Sequence, residues 1–291
     1  MLSQLNVLTA EEVSLFARDL GAEIVGFADP ATWDEGGEVP EDFRPRSLFP
    51  LTETVIVMGI AIPLPIIETT PSAWYMEAYN TSNRRLDDMA FRITSYLNGK
   101  GYPSVFFPRD GYGHIDILVE KPLAAFSHRA AAVYAGLGTV GLSHNVLTPQ
   151  AGPRARFVSV LTSLKLPAGR PLEKDLCIRC LACAQCCPVD ALKPRDDRIV
   201  ADYDVLACAK QAQYLTLKRR YPCGICIKVC PIGEDRRLYR SRGYLPKYRR
   251  ESELLRADPD HPAYKSWTHV RNYGSWPYED KGALKDEEGD V

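Results

Sequence analysis

The first 176 of the 291 residues contain no cysteine, and none follows residue 230. All nine cysteines lie between Cys177 and Cys230. This argues against a disulfide framework, which would spread its bridges through the structure it staples. Confinement to one short stretch reads as metal ligation, and thiolate ligands imply a reducing, cytoplasmic location. A long apolar run is also missing: no stretch reaches the roughly 18 residues that a membrane helix needs. So is an excess of either charge. Lys and Arg number 36 against 37 Asp and Glu, a formal net charge of −1. No global field then recruits a membrane or nucleic acid, and neither is expected as a partner. Residues 1–6 lack the basic start and apolar stretch of a secretory signal, and lack a twin-Arg pair.

What is present suits about two domains with a sizeable core, at 45% hydrophobic and 25% charged residues. Thr9 and Glu12 form a capping-box pattern ahead of Val13, Phe16, Ala17 and Leu20 at helical spacing. Residues 23–29 read as a strand and 31–50 as loop. Thr54 to Ile62 is apolar throughout and reads as a central strand. A long helix is predicted over 74–98, with Leu86, Met89, Ala90, Ile93 and Leu97 on one face. Trp74, Tyr75 and Tyr79 lie near its start, where burial of an apolar face is the default. A short strand at 104–107, a helix at 128–135 and a strand at 156–164 complete this half. The expected fold class is α+β, with a mixed α/β domain over 1–168 and a ferredoxin-like domain over 169–235. Pro167 to Pro171 reads as the linker. Residues 236–256 are basic and read as a solvated segment, or as a dock for an anionic partner. Trp267, Tyr273, Trp276 and Tyr278 suggest that the tail packs back on the body, with 279–291 disordered.

The cysteine spacing carries the sharpest signal. Cys177, Cys180, Cys183 and Cys187-Pro188 form the C-x2-C-x2-C-x3-C-P run, whose fourth cysteine ligates the other cluster in two-cluster ferredoxins. Cys223, Cys226 and Cys230-Pro231 are an incomplete second copy, and Cys208 is the plausible supplier of the missing thiolate. The crossed assignment places Cys177, Cys180, Cys183 and Cys230 on one [4Fe–4S] cluster. Cys187, Cys208, Cys223 and Cys226 hold the other. Cys186 is left over and reads as a small buried residue. Zinc knuckles also use C-x2-C pairs, but they do not need the two Cys-Pro ends.

Gly136-Leu-Gly138-Thr-Val-Gly141 fits G-x-G-x-x-G, yet a dinucleotide site needs a preceding strand and an acid about 20 residues on. Here the preceding residues are helix-forming, and no Asp or Glu occurs between Glu120 and Glu173. A helix C-cap followed by tight turns is one reading. Close backbone approach to a large planar cofactor is the other.

The glycine motif, Asn145-Val-Leu-Thr148-Pro149, Gly152-Pro-Arg154 and the cysteine runs together resemble the epoxyqueuosine reductase family and its shorter relatives, kin to the reductive dehalogenases. The resemblance covers about residues 5–235. It implies a base-off corrinoid (cobalamin) beside the two clusters, fed with single electrons by a ferredoxin or flavodoxin-like donor. It also implies reduction of a small or modified substrate. Gly136, Gly138, Gly141, His144, Asn145 and Thr148 would be corrinoid contacts. The stretch before the glycine motif, Pro122 to His128, lacks the acid that serves as proposed proton donor in the family. Leu142 replaces the family's usual Lys. The sequence ends without the helical-repeat domain of longer members. Epoxyqueuosine-tRNA is therefore the less expected substrate. Replacement donors are sought in Tyr112, His114 and Asp116, and in His128. The alternative function is an electron carrier or reductive activator without substrate chemistry of its own.

Overall fold

The computed structural model describes residues 8–36, 39–110, 114–238, 244–258 and 261. Helix α1 (Ala10–Asp19) starts at the expected capping box: the Thr9 hydroxyl accepts from the Glu12 amide, and the Glu12 carboxylate accepts from the Thr9 amide. Strand β1 (Ile24–Ala28) follows. Short helices α2 (Ala31–Gly36) and α3 (Pro45–Leu48) interrupt the expected loop before strand β2 (Thr54–Ala61). Helix α4 (Leu64–Ile67) leads into the long helix α5 (Ala73–Gly99), and strand β3 (Ser104–Phe107) follows. Helices α6 (Ile115–Glu120) and α7 (His128–Tyr134) precede the hairpin β4 (Thr139–Val140) and β5 (Val146–Leu147), then strand β6 (Ala155–Thr162).

The main sheet has the order β1-β2-β6-β3, every neighbouring pair antiparallel. β2 and β3 therefore run the same way, joined by α5 as a crossover. β6 arrives late in the chain and inserts between them. Alternation of helix and strand in the sequence marks the crossover but not the later insertion. β2 is apolar at nearly every position because both faces are covered. Ile56, Met58 and Ile60 pack with Leu86, Met89 and Ile93 of α5. Val55 and Val57 pack on the other side with Trp33, Ala131 and Tyr134.

Residues 167–171 are not a free linker. The Gly169 amide donates to Phe27 O at 2.8 Å, tying the segment to β1.

In the cysteine segment, helices α8 (Ala182–Gln185) and α10 (Ile225–Lys228) each start at a left-handed residue, Leu181 and Gly224. These residues occupy matching places in the two C-x2-C copies. Between the copies lie the ribbon β7 (Leu192–Lys193) and β8 (Asp202–Tyr203) and helix α9 (Val205–Leu217). Helix α11 (Asp235–Leu238) and helix α12 (Tyr244–Ala257) close the described chain. Tyr248 and Leu255 of α12 share one apolar cluster with Cys186, Ile225 and Val229. The basic stretch is thus not simply a solvated face: Arg236 and Lys247 are buried. The aromatic tail and residues 279–291 lie outside the described residues. No described helix is long and apolar enough to cross a membrane.

Candidate metal centres and the adjoining cavity

The two C-x2-C copies fold into short helices whose left-handed first residues turn the flanking thiols inward. Two cavities result. The smaller is lined by Cys177, Cys180, Cys183 and Cys230. The larger is lined by Cys187, Cys208, Cys223 and Cys226. Each cavity therefore gathers one four-cysteine set of the crossed assignment. Among the described residues, no three His, Cys, Asp or Glu side chains converge closely enough to hold a single ion. The four thiols of each set line a space rather than meet at one point.

The chemistry of the donor set fits a cluster as well. Burial, followed by the neighbouring thiol Cys208, pushes Cys226 up to about 12. Burial pushes Cys230 up to about 11 and lifts Cys183 and Cys223 above the ordinary thiol range. Thiolates gathered this closely and partly withdrawn from water need a cationic partner. Cys186 lines neither cavity; it is buried, and its carbonyl accepts from the Ser252 hydroxyl at 3.3 Å.

Donors cluster around the second set. Asn145 Nδ2 donates to Cys226 Sγ at 3.5 Å, and the Ala191 amide to Cys187 Sγ at 3.3 Å. The Tyr203 hydroxyl bonds the Cys208 thiol, and burial holds that phenol far above its ordinary range, so it keeps its proton. Tyr203 has no signal in sequence: it stands alone between the two cysteine runs. Asn145, a corrinoid contact by the family resemblance, directs its amide at a thiol.

The larger cavity extends beyond its four thiols, and apolar residues make up most of the rest of its lining. Ile115 and Leu118 of α6, Ala212 of α9, Tyr221 and Pro222 also line it. Tyr221 stacks edge-on against Tyr79 at 5.5 Å, and Tyr75 is buried in the same apolar group. The aromatic start of α5 thus backs the cavity wall.

None of the six residues nominated for a corrinoid lines this cavity. A Cβ on Gly136 would lie 2.3 Å from Arg170 O, and one on Gly138 2.2 Å from Leu147 O. Gly141 meets the Leu147 side chain. The motif follows helix α7 as its C-cap and opens the hairpin, so its glycines serve chain-on-chain packing. Nor does a strand precede it, which removes the dinucleotide reading. Thr148 is fully buried; its hydroxyl donates to Gly152 O and accepts from the Ala151 amide. His144 is pinned by Ala201 O on Nε2 and by Arg129 on Nδ1, and it stacks on Tyr203 at 5.0 Å. Burial holds its imidazole below the ordinary range. These residues do not fit a corrinoid site.

The candidate proton donors separate. Tyr112 lies outside the described residues. His114 caps α6, its Nδ1 accepting from the Asp116 amide at 3.3 Å, and both side chains are exposed beside the cavity residue Ile115. Asp116 Oδ1 accepts from Gln213 Nε2 at 2.7 Å, which ties α6 to α9. His128 is committed elsewhere. Its Nε2–H donates to Pro108 O and its Nδ1 accepts from the Ser159 hydroxyl, both at 2.9 Å.

Burial pushes His128 down to about 4, whereas an unfolded imidazole titrates near ~6.5. Between these values the unfolded chain binds a proton that the folded one refuses. Stability is therefore full above pH ~6.5 and is lost as pH falls toward ~4, by roughly 2 kcal/mol after screening. Anoxic urea midpoints from pH 7 to pH 5 should fall less steeply in His128→Gln than in the parent. Equal slopes would contradict the buried neutral imidazole.

No protein-family model matches the chain. An epoxyqueuosine reductase from Leadbetterella byssophila is 26% identical over 185 residues, covering 55% of this chain and 58% of that protein. A tetrachloroethene reductive dehalogenase from Sulfurospirillum multivorans is 27% identical over 200 residues, covering 62% and 35%. The chain thus spans little more than half of one relative and a third of the other. A solved reductive dehalogenase, described as suggesting a mechanism for B12-dependent dehalogenation, superposes with a TM-score of 0.61. It is 22% identical over 94% of this chain and 38% of its own, a likeness of fold. The chain is similar to both groups of reductases, as its motifs imply.

Proposed function

We propose that this chain is an iron–sulfur oxidoreductase whose two [4Fe–4S] clusters carry single electrons to a group reduced in the larger cavity. The observation that carries this reading is that each four-cysteine set of the crossed spacing lines its own cavity, one of them extending beyond its thiols. The names of the relatives support a reductase. Cys180 is exposed, which offers a face to a ferredoxin or flavodoxin-like donor. The cavity-side thiols receive hydrogen bonds from Asn145 and Tyr203. Ile115, Leu118 and Tyr221 give the space beyond an apolar lining. His114 and Asp116 flank Ile115 and are the nominated groups best placed to supply a proton.

A corrinoid is the group that the B12-dependent structural neighbour suggests. When bound, it supplies a strong reductant for the substrate. Here the apolar cavity walls would have to hold it, since the 136–148 loop is consumed by packing. That same packing favours a second reading, an electron carrier or reductive activator. Full-length protein, purified without oxygen, reconstituted with iron and sulfide, mixed with cobalamin and desalted, separates the two. A retained, shifted corrinoid spectrum supports the reductase. A spectrum showing clusters alone would overturn the corrinoid role and leave electron transfer. A small modified compound remains the proposed substrate. Neutral net charge excludes a global field, not a local nucleic-acid site, so relatives named epoxyqueuosine reductase keep a modified nucleoside among the candidates.

A further inference from the structure

The Cys230 carbonyl accepts from two buried guanidinium groups, Arg154 Nη1 and Arg236 Nε, each at 3.1 Å. Arg154 is 1% exposed and Arg236 6%. Each cation is held from behind by a carboxylate. Asp235 Oδ1 lies 2.7 Å from Arg154 Nη2, and Glu68 Oε1 lies 3.2 Å from Arg236 Nη1. Both ion pairs therefore point their positive ends at Cys230. At the second cysteine set the named side-chain donors are uncharged, Asn145 and Tyr203.

We infer that Arg154 and Arg236 are positioning residues that raise the reduction potential of the cluster held through Cys230, by aiming two oriented ion pairs at one of its ligands. The inference rests on the two-cluster reading above. The physical cause is general. Reduction adds an electron to an already anionic cluster, and nearby positive charge or hydrogen bonding favours the reduced form. Burial keeps solvent and salt from screening the effect.

The test is a potentiometric titration of the full chain, followed by EPR under anoxia. Cys177→Ala, which lacks the cluster in question, identifies its step. Arg236→Met should move that step to more negative potential while the other stands still. A tenfold change in the one-electron equilibrium would appear as ~59 mV. Arg236→Lys, which keeps the charge, should restore part of the shift. Asp235→Asn removes a carboxylate at the partly exposed rim and should move the same step the opposite way. Opposite signs separate an electrostatic role from loosened packing. Both steps moving together, or Arg236→Met and Asp235→Asn moving one step in the same direction, would overturn the inference. A parent protein with two reducible centres and unmoved variants would overturn it alone. A parent without two centres would overturn the proposed function first, and this inference with it.

Discussion

Replacing Cys230 with alanine is expected to remove the same half of the iron as replacing Cys177. Replacing Cys208 should remove the half that disappears with Cys223. Sequence distance alone suggests the opposite, since Cys230 is four residues from Cys226 and 53 from Cys177. The structure sends Cys230 into the cavity of the first run, beyond the end of α10, while Cys187 crosses to the other. Each single variant should fall from about eight irons to about four per chain, with one EPR signal retained. The signal retained by Cys230→Ala should match that of Cys177→Ala and differ from that of Cys223→Ala. Loss of the same signal from Cys230→Ala and Cys226→Ala would contradict the crossing.

Gly152→Ala should be the most destabilising glycine-to-alanine change among the described residues. The turn from Thr148 to Arg154 docks the Cys230–Asp235 segment on the sheet. Pro149 O and Gln150 O each accept an amide, from Glu234 and Asp235, at 3.0 Å. Gly152 sits at φ +52, and a Cβ there would lie 1.9 Å from Ile232 O. Ile232 O belongs to the backbone and not to a flexible side chain, so backbone must move. The left-handed conformation alone costs about 1 kcal/mol for alanine, and the collision should bring the loss to about 3 kcal/mol or more. Gly101→Ala is the control: φ is +87, but nothing stands within 4 Å. It should lose only the conformational part. Anoxic urea unfolding measures both, and equal losses would contradict the docking role of the turn.

The parts of this molecule that were legible in sequence are those set by local chemistry. The Thr9–Glu12 cap, the apolar β2 and the face of α5 follow from hydrogen bonding and periodicity, and they form where expected. The grouping of the cysteines was legible from their spacing as far as the structure goes: each four-cysteine set lines one cavity. What sequence hid was position in space. Gly136, Gly138 and Thr148 look like cofactor contacts because glycine signals close approach, but glycine does not say to what. The approach is to Arg170 and Leu147, from segments about 34 and nine residues away. Arg236 and Lys247 look solvated because charge is usually outside. Here Glu68, some 170 residues earlier, meets both of them in the interior. Tyr203 carried no local pattern at all; only the fold brings its hydroxyl to Cys208.

Counting metal and acid-labile sulfide in anoxically purified full-length protein tests the central claim most directly. About eight irons and eight sulfides per chain, with zinc absent and two EPR-active reduced centres, is the result expected of two cubanes. Four irons or fewer, or zinc in their place, would contradict it.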